Sequence, residues 1–399
     1  MEQKPPFWKK IRTVLSKPNV VLGAYILITI VASIAELAKG ASLTEGHLYT
    51  HYNNYIIFKQ SFFHLLGNQD LYVLYPNEQW DLYKYSPTFS VFMGLLAYLP
   101  DYVGLIVWNL INSLTLFFAI RQLPIANEKI KVAMLWFVLQ ETLTSIQNSQ
   151  SNALMAGLII VAFNFLERKN MLLASLCIVL TVYIKIFGLV AFALFLLYPR
   201  KLAFIAYSAG WVVVLGLFPL LFISIDQLQF LYQSWINMLA ADHSASLGLS
   251  VMGWLDSWFH LPVSKNIVVL IGALLFCLPL LKWKSYSDPL FRLLMLASVL
   301  LWIIIFNHKA ESPTFVLAIS GVAVWYFSQE RRTENLVLLC LAFVFTSLSP
   351  TDLFPAYLRE HLVFPYVLKA VPCILIWFKL IYDMLFNQPE SNKILSPAL

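Results

Sequence analysis

Apolar runs follow one another down nearly the whole chain, separated by short polar breaks. The first extends from Val20 to about Ala38. Others fall near 87–99, 103–120, 131–147, 152–166, 171–184, 186–198, 202–223, 266–281, 290–306, 313–327, 335–348 and 364–386. A helix needs about 20 residues to cross a bilayer. The runs of near 14 are therefore short spans, half-helices or continuations of a neighbour. Together they predict an all-α polytopic membrane bundle of roughly 11–13 membrane segments, one domain over residues 1–399. No internal repeat interrupts the series. The 87–99 run leaves open whether it crosses or re-enters.

One long interval breaks the pattern. Residues 39–86, and above all the stretch from His47 onward, are too polar to cross a bilayer and too aromatic for a plain linker. Tyr52, Asn53, Asn54, Tyr55, Lys59, Gln60 and His64 come first. Asp70, Tyr72, Tyr75, Glu78, Trp80, Asp81, Tyr83, Lys84 and Tyr85 follow. Carboxylates, amides, amines and flat rings are the equipment of a carbohydrate or phosphate site.

Composition supports the membrane reading. Hydrophobic residues are 60% and charged residues 12% of the 399, against about 25% charged in a soluble domain. Mean hydropathy is +0.73. The net charge of +6 does not imply nucleic acid, because the basic residues sit in short loops where membrane orientation puts them. Cys177, Cys277, Cys340 and Cys373 lie inside apolar runs, without metal or disulfide spacing.

Loop charge predicts sidedness. The basic stretch 1–18, Arg121–Lys131, Glu167–Lys169, Arg200–Lys201, Lys282–Lys284 and Arg331–Arg332 would be cytoplasmic. The first apolar run is then a retained helix with a cytoplasmic N-terminus, in a multi-pass protein of the cell membrane. The tail, 387–399, is polar. Residues 39–86, 147–152, a large loop at 224–264, 307–313 and 349–363 fall on the outer face.

That face collects the unusual chemistry. The turn QNSQSN holds Gln150 and Asn152. The large loop holds Asp226, Tyr232, Trp235, Asn237, Asp242, His243, Ser246 and Trp254. The stretch FNHKAESPTF holds His308, Lys309 and Glu311. Lys185 stands among apolar neighbours, and a lysine at membrane depth is costly enough to need a cavity or an anionic partner. Plainer roles exist for each. Asp81 and Lys84 suit a solvated ion pair, His64 an interfacial prop, the polar turn a helix cap, and Lys185 snorkelling to the interface. Asp70, Glu78, Asp81, His308 and Glu311 could offer hard ligands, but no compact DxD is present; we expect no cofactor, with a divalent ion left open. The chain also lacks a P-loop and a G-x-S-x-G elbow. A transferase of this build would take a membrane-borne donor from the outer face.

Several short pieces, in this order, resemble glycosyltransferase family 87, the polyprenyl-phosphate-mannose-dependent mannosyltransferase-like proteins of the GT-C class. They are LLGNQDLY, YKYSPTF with LAYLP, WNLINSLTLF, SIQNSQSNAL, YIK ending at Lys185, and HKAESPTF. The similarity spans about residues 40–330. It implies a GT-C-like helix bundle with an extracytoplasmic site. It also implies transfer of a hexose, mannose foremost, from a polyprenyl-phosphate-sugar to a glycan or glycolipid acceptor. The family's first loop carries an acidic residue about eighteen positions before the Tyr of its LY element; here that place is Asn54, beside Asn53. An amide cannot take a proton as a carboxylate does. The base must then be another carboxylate, Asp81 before Glu78 or Glu311.

The donor phosphate would meet Lys185, Lys84 and His308, with Tyr85 and Trp235 as sugar platforms and Asn53, Asn54, Gln150 and Asn152 as polar contacts. Inversion is the simple expectation. Two other classes stay open: a catalytically silent relative that binds lipid-linked sugar, which the Asn53–Asn54 pair would suit, and a lipid-linked sugar transporter or flippase, which should show repeat symmetry.

Overall fold

The computed structural model describes residues 13–241, 246–261 and 264–387. Asp242, His243, residues 1–12 and all but the first residue of the polar tail lie outside these. The protein is an all-α polytopic membrane bundle, with one two-stranded hairpin among the described residues.

Helix α1 (Pro18–Ala38) places Pro18 in its first turn, where a missing N–H costs nothing. Its 21 residues span about 31 Å, enough to cross. Gly40, at φ +74°, turns the chain into β1 (Ala41–Thr44) and β2 (His47–Thr50), which pair antiparallel with Ala41 opposite Thr50. Glu45 and Gly46 both take positive φ, 50° and 79°, as a tight two-residue hairpin requires.

Helix α2 (Asn53–Leu66) buries Tyr55, Phe58 and Phe62. Helix α3 (Pro87–Ala97) starts where Ser86 Oγ accepts the Phe89 N–H at 3.2 Å and Pro87 presets the first turn. It has 11 residues, roughly 16 Å and half a crossing. Pro100 then opens α4 (Asp101–Arg121). Lys59 of α2 donates to Asp101 Oδ1 at 2.7 Å and to the Leu99 carbonyl at 3.1 Å, tying the start of α4 back to α2. The 87–99 run thus forms a short helix braced on α2, whereas α4, with 21 residues, is long and apolar enough to cross a membrane.

The remaining longer helices are α5 (Glu128–Gln147), α6 (Asn152–Glu167), α7 (Met171–Ile184), a 3₁₀ helix (Ile186–Leu197), α8 (Lys201–Leu217), α9 (Ile225–Ala241), α10 (Val251–Phe259), α11 (Lys265–Cys277), α12 (Pro289–Ile305), α13 (Phe315–Phe327), α14 (Thr333–Leu341) with a π-helical extension (Ala342–Leu348), and α15 (Val371–Phe386). The large loop expected at 224–264 is thus mostly helix, α9 and α10. Gly188 lets the 3₁₀ helix fold back on α7: a Cβ there would come within 2.5 Å of Thr181 Oγ1.

The inter-helix turns gather at two ends. At one, Glu167 accepts from Arg292 Nε at 2.5 Å, Arg292 Nη2 at 3.0 Å and Tyr198 Oη at 2.5 Å. Elsewhere, Lys379 pairs with Glu334 at 3.2 Å and Lys282 donates to the Leu385 carbonyl at 2.5 Å. The other end holds the polar turns taken up below. Between them, α12 and α13 form the centre. Fifteen of the 17 residues of α12 are buried, as expected of a helix apolar on every side. Helix α8 is the contrast: Leu202, Ile205, Val212 and Val213 face outward, the disposition of a helix against lipid.

One ion pair lies wholly inside. Lys369 Nζ donates to Glu141 Oε1 at 2.7 Å, with side chains 2% and 0% exposed. The ammonium also lies 5.2 Å above the Phe315 ring, and Thr346 Oγ1 donates to the Lys369 carbonyl at 2.8 Å. Breaking a buried pair on one side leaves an uncompensated charge. Lys369→Met should therefore cost about 3–5 kcal/mol, and the double change Glu141→Leu with Lys369→Met should recover most of it. Thermal unfolding of the purified protein in detergent measures both. A double variant as unstable as the single would show that the loss is steric.

Candidate active site

The polar end is built around a four-residue turn. Helix α5 closes with Ser149 at φ 52°, its N–H donating to the Ile146 carbonyl at 2.8 Å. Two neighbours pin the turn: Trp108 Nε1 donates to Ser149 O at 2.8 Å, and Asn54 Nδ2 donates to Asn148 O at 2.9 Å. Gln150 leaves the turn and Asn152 opens α6.

From these two amides a chain of hydrogen bonds runs both ways. Lys185 Nζ, at the C-terminal end of α7, donates to Asn152 Oδ1 at 2.7 Å. Asn152 Nδ2 donates to Gln150 Oε1 and to the Pro313 carbonyl, the latter at 3.2 Å. Gln150 Nε2 donates to Glu311 Oε2 at 3.3 Å. Three separate pieces of chain thus meet in one relay, Lys185–Asn152–Gln150–Glu311. It starts on a cation among apolar neighbours and ends on an exposed carboxylate.

Tyr85 supports the cation. Its ring lies 5.6 Å from Lys185 Nζ, inside the range where a ring face attracts a cation. Its hydroxyl accepts from Ser151 Oγ at 3.2 Å, and its ring stacks on Phe89 with centroids 4.7 Å apart. Tyr85 is buried and committed to these contacts, so here it seats Lys185 and shows no open face to a sugar.

A second group sits beside the relay. Lys84 lies 3.6 Å from Asp81 Oδ2, and Asp81 Oδ1 accepts the Leu82 N–H at 2.7 Å. Trp235 Nε1 donates to the Lys84 carbonyl at 3.3 Å, which docks α9 against this loop. Ser234 reinforces the dock by donating to the Asp70 carboxylate at 2.8 Å. Glu311 and Lys84 are both among the charges that act on Lys185, so the two groups share one electrostatic neighbourhood.

The other sequence candidates have different surroundings. Glu78 turns to His64, Oε2 to Nε2 at 2.9 Å, and that imidazole stacks on Tyr75 with centroids 3.7 Å apart. Burial pushes the His64 imidazole below its ordinary value, and Glu78 pulls it back up. Asn53 Oδ1 accepts the Trp80 N–H at 3.0 Å, so Asn53 and Asn54 both brace backbone. His308 belongs to the same loop as Glu311. Its carbonyl stands where a Cβ on Gly248 would be, 2.5 Å away, and Leu249 N donates to Ala310 O at 2.9 Å. Among the described residues no group of three or more His, Cys, Asp or Glu side chains gathers as a metal set.

Two features escaped the sequence reading. Ser151, which orients Tyr85, looked like one more polar turn residue. Lys369 carried the same signal as Lys185, a lysine amid apolar residues, and was passed over inside a long apolar run.

The helical membrane bundle thus gathers cations, amides and carboxylates at one end. The sequence model of glycosyltransferase family 87 matches residues 83–350, about two-thirds of the chain, and the chain belongs to that family, which makes it a membrane glycosyltransferase. No curated protein matches it. The match begins later than the similarity of about 40–330. Asn53, Asn54, Glu78 and Asp81 lie ahead of it, whereas Lys84, Tyr85, Gln150, Asn152, Lys185, Trp235, His308 and Glu311 lie within.

The Gly248 contact allows a structural check on the Glu311 loop. Gly248 has φ +62°, and any side chain there meets the His308 carbonyl. Gly248→Ala should cost at least about 1–2 kcal/mol and loosen residues 307–311. Hydrogen exchange by mass spectrometry would register faster exchange in that loop; unchanged protection would show that the 247–250 segment does not hold it.

Proposed function

We propose that this glycosyltransferase moves a hexose, mannose foremost, from a polyprenyl-phosphate-sugar donor to a glycan or glycolipid acceptor. The reaction takes place at the extracytoplasmic face of the cell membrane, with the N-terminus in the cytoplasm. The observation that carries this reading is the relay. It couples a cation held near membrane depth to a carboxylate open to water, the pair of groups that transfer from a lipid phosphate needs.

In this mechanism the prenyl chain stays among apolar helices and its phosphate meets Lys185 and Lys84. Their N–H groups neutralise the charge that builds on the leaving oxygen. A carboxylate takes the proton of the acceptor hydroxyl, whose oxygen attacks the anomeric carbon from the opposite side. The bond from that carbon to phosphate oxygen breaks, and its electron pair leaves with the polyprenyl phosphate. Positive charge develops on the sugar ring as in glycoside chemistry generally. One displacement inverts the anomeric centre.

The surroundings of the two carboxylates support Glu311 as the base over Asp81. Asp81 is engaged within its own loop by Leu82 N–H and Lys84. Glu311 gives only Oε2 to Gln150, and Gln150 fixes its place relative to Lys185. The Asn53–Asn54 amides, which had suited a silent binder, have structural partners of their own.

General-base catalysis is worth about 10²- to 10⁴-fold. Glu311→Gln should lose that much transfer from polyprenyl-phosphate-mannose in membranes while keeping donor binding, and Asp81→Asn should lose less than about tenfold. The opposite ranking would return the base to Asp81. Lys185→Met should instead weaken donor binding; donor affinity equal to the parent's would remove Lys185 from the phosphate site.

Sidedness has its own check. In a cysteine-free chain, Asp226→Cys should react with a membrane-impermeant maleimide added to intact cells. Labelling confined to inverted vesicles would turn the topology over.

A further inference from the structure

A strip of rings flanks this site, in residues ahead of the family match. A strand sends alternate side chains to opposite faces. His47 and Tyr49 of β2, and His51 just beyond it, share one face, while Thr50 turns inward and is buried. The Tyr49 and His51 centroids are 5.4 Å apart. Trp80 reaches across from the following loop, edge-on to His47 at 5.6 Å and to Tyr49 at 6.0 Å.

None of these four rings is buried, and the His51 side chain is 42% exposed. Past His51, the Glu36 carboxylate meets Lys39 at 2.6 Å and His51 at 3.8 Å.

The strip is held in place deliberately. A lone hairpin of this size is marginal. Leu48 N donates to the Pro76 carbonyl at 2.7 Å, and Asn53 fixes the Trp80 backbone, so hairpin and loop are locked together with the rings outward. Packing does not account for this, because core rings are covered. A membrane belt does not account for the carboxylate, lysine and histidines among them. His47 Nδ1 is moreover buried without a hydrogen-bond partner.

We propose that this strip is the acceptor subsite and binds a hexopyranose unit of the glycan acceptor. The inference rests on the glycosyl-transfer reading and gives that reaction its second substrate. Sugar C–H groups carry slight positive charge and fit the negative faces of Tyr49 and Trp80. At the strip's end the exposed His51 and Lys39 side chains offer donors to ring hydroxyls, and the buried Glu36 carboxylate between them holds both in place. Asn53 holds the Trp80 backbone while its neighbour Asn54 holds the Asn148 carbonyl of the relay turn, so a sugar on the strip lies at the same end of the molecule as the relay. The segment that precedes the family's shared pattern then sets which acceptor this chain uses.

The experiment is saturation-transfer difference NMR on the full-length protein in nanodiscs, without donor. The probes are methyl α-D-mannopyranoside, methyl α-D-glucopyranoside and methyl β-D-galactopyranoside. At least one should receive saturation on the C–H protons of one ring face. Tyr49→Ala and Trp80→Ala should each cut that signal about fivefold. Tyr49→Phe should retain it. Tyr49→Ala serves alone if Trp80→Ala fails to fold. Wild-type protein that saturates none of the three sugars, or a signal that survives Tyr49→Ala, overturns the subsite. The subsite and the reaction fail separately. Sugar binding through Tyr49 in a protein with no transfer activity upholds the subsite and sinks the reaction. Transfer with unchanged acceptor KM in Tyr49→Ala does the reverse.

Discussion

A lysine at the end of an apolar helix is the constraint around which one end of this molecule is arranged. The charge of Lys185 cannot be left without partners where water is scarce. Its partners come from three other places in the chain: the Asn152 amide, the Tyr85 ring and, through Gln150, the Glu311 carboxylate. Each partner is in turn held by something apolar or backbone-bound. Tyr85 rests on Phe89, and Asn152 is tied to Pro313 O. Solvating one cation therefore fixes α3, the α5–α6 turn, α7 and the loop before α13 relative to one another.

The buried Glu141–Lys369 pair extends the same logic one layer inward. Lys369 lies over Phe315, at the head of the helix that follows the Glu311 loop. Glu141 lies on α5, the helix whose end carries the Gln150 turn. The pair braces the two elements that meet where Gln150 touches Glu311. Charges kept inside at such cost define where two pieces of chain must sit, and that is the service a preorganised site needs.

Much of this was legible in residues alone. Apolar runs marked the helices, and the aromatic, polar first interval marked the end where chemistry collects. Lys185, Gln150, Asn152 and Glu311 each stood out because polar groups beside apolar runs are costly. What could not be read was pairing. Asp81 and Glu311 look equivalent as carboxylates, and only the tertiary structure shows one engaged in its own loop and the other joined through two amides to Lys185. Tyr85 read as an open platform because sequence does not reveal that both its faces are taken. The H-x-Y-x-H alternation at 47–51 was visible, but its meaning depends on Trp80 arriving from thirty residues on.

The sequence by itself determined the class of this protein. Hydropathy is a property of each segment, and in lipid a segment's backbone must satisfy its hydrogen bonds internally, so long apolar runs commit to helices before they meet one another. The tertiary structure alone decided how the short apolar runs join their neighbours, since α3 has only 11 residues and Lys59 ties the next helix's start to α2. It also decided which polar groups act together. A hydrogen bond between Gln150 and Glu311 joins residues far apart in the chain, and local sequence cannot specify which of many exposed amides and carboxylates packing will bring within reach.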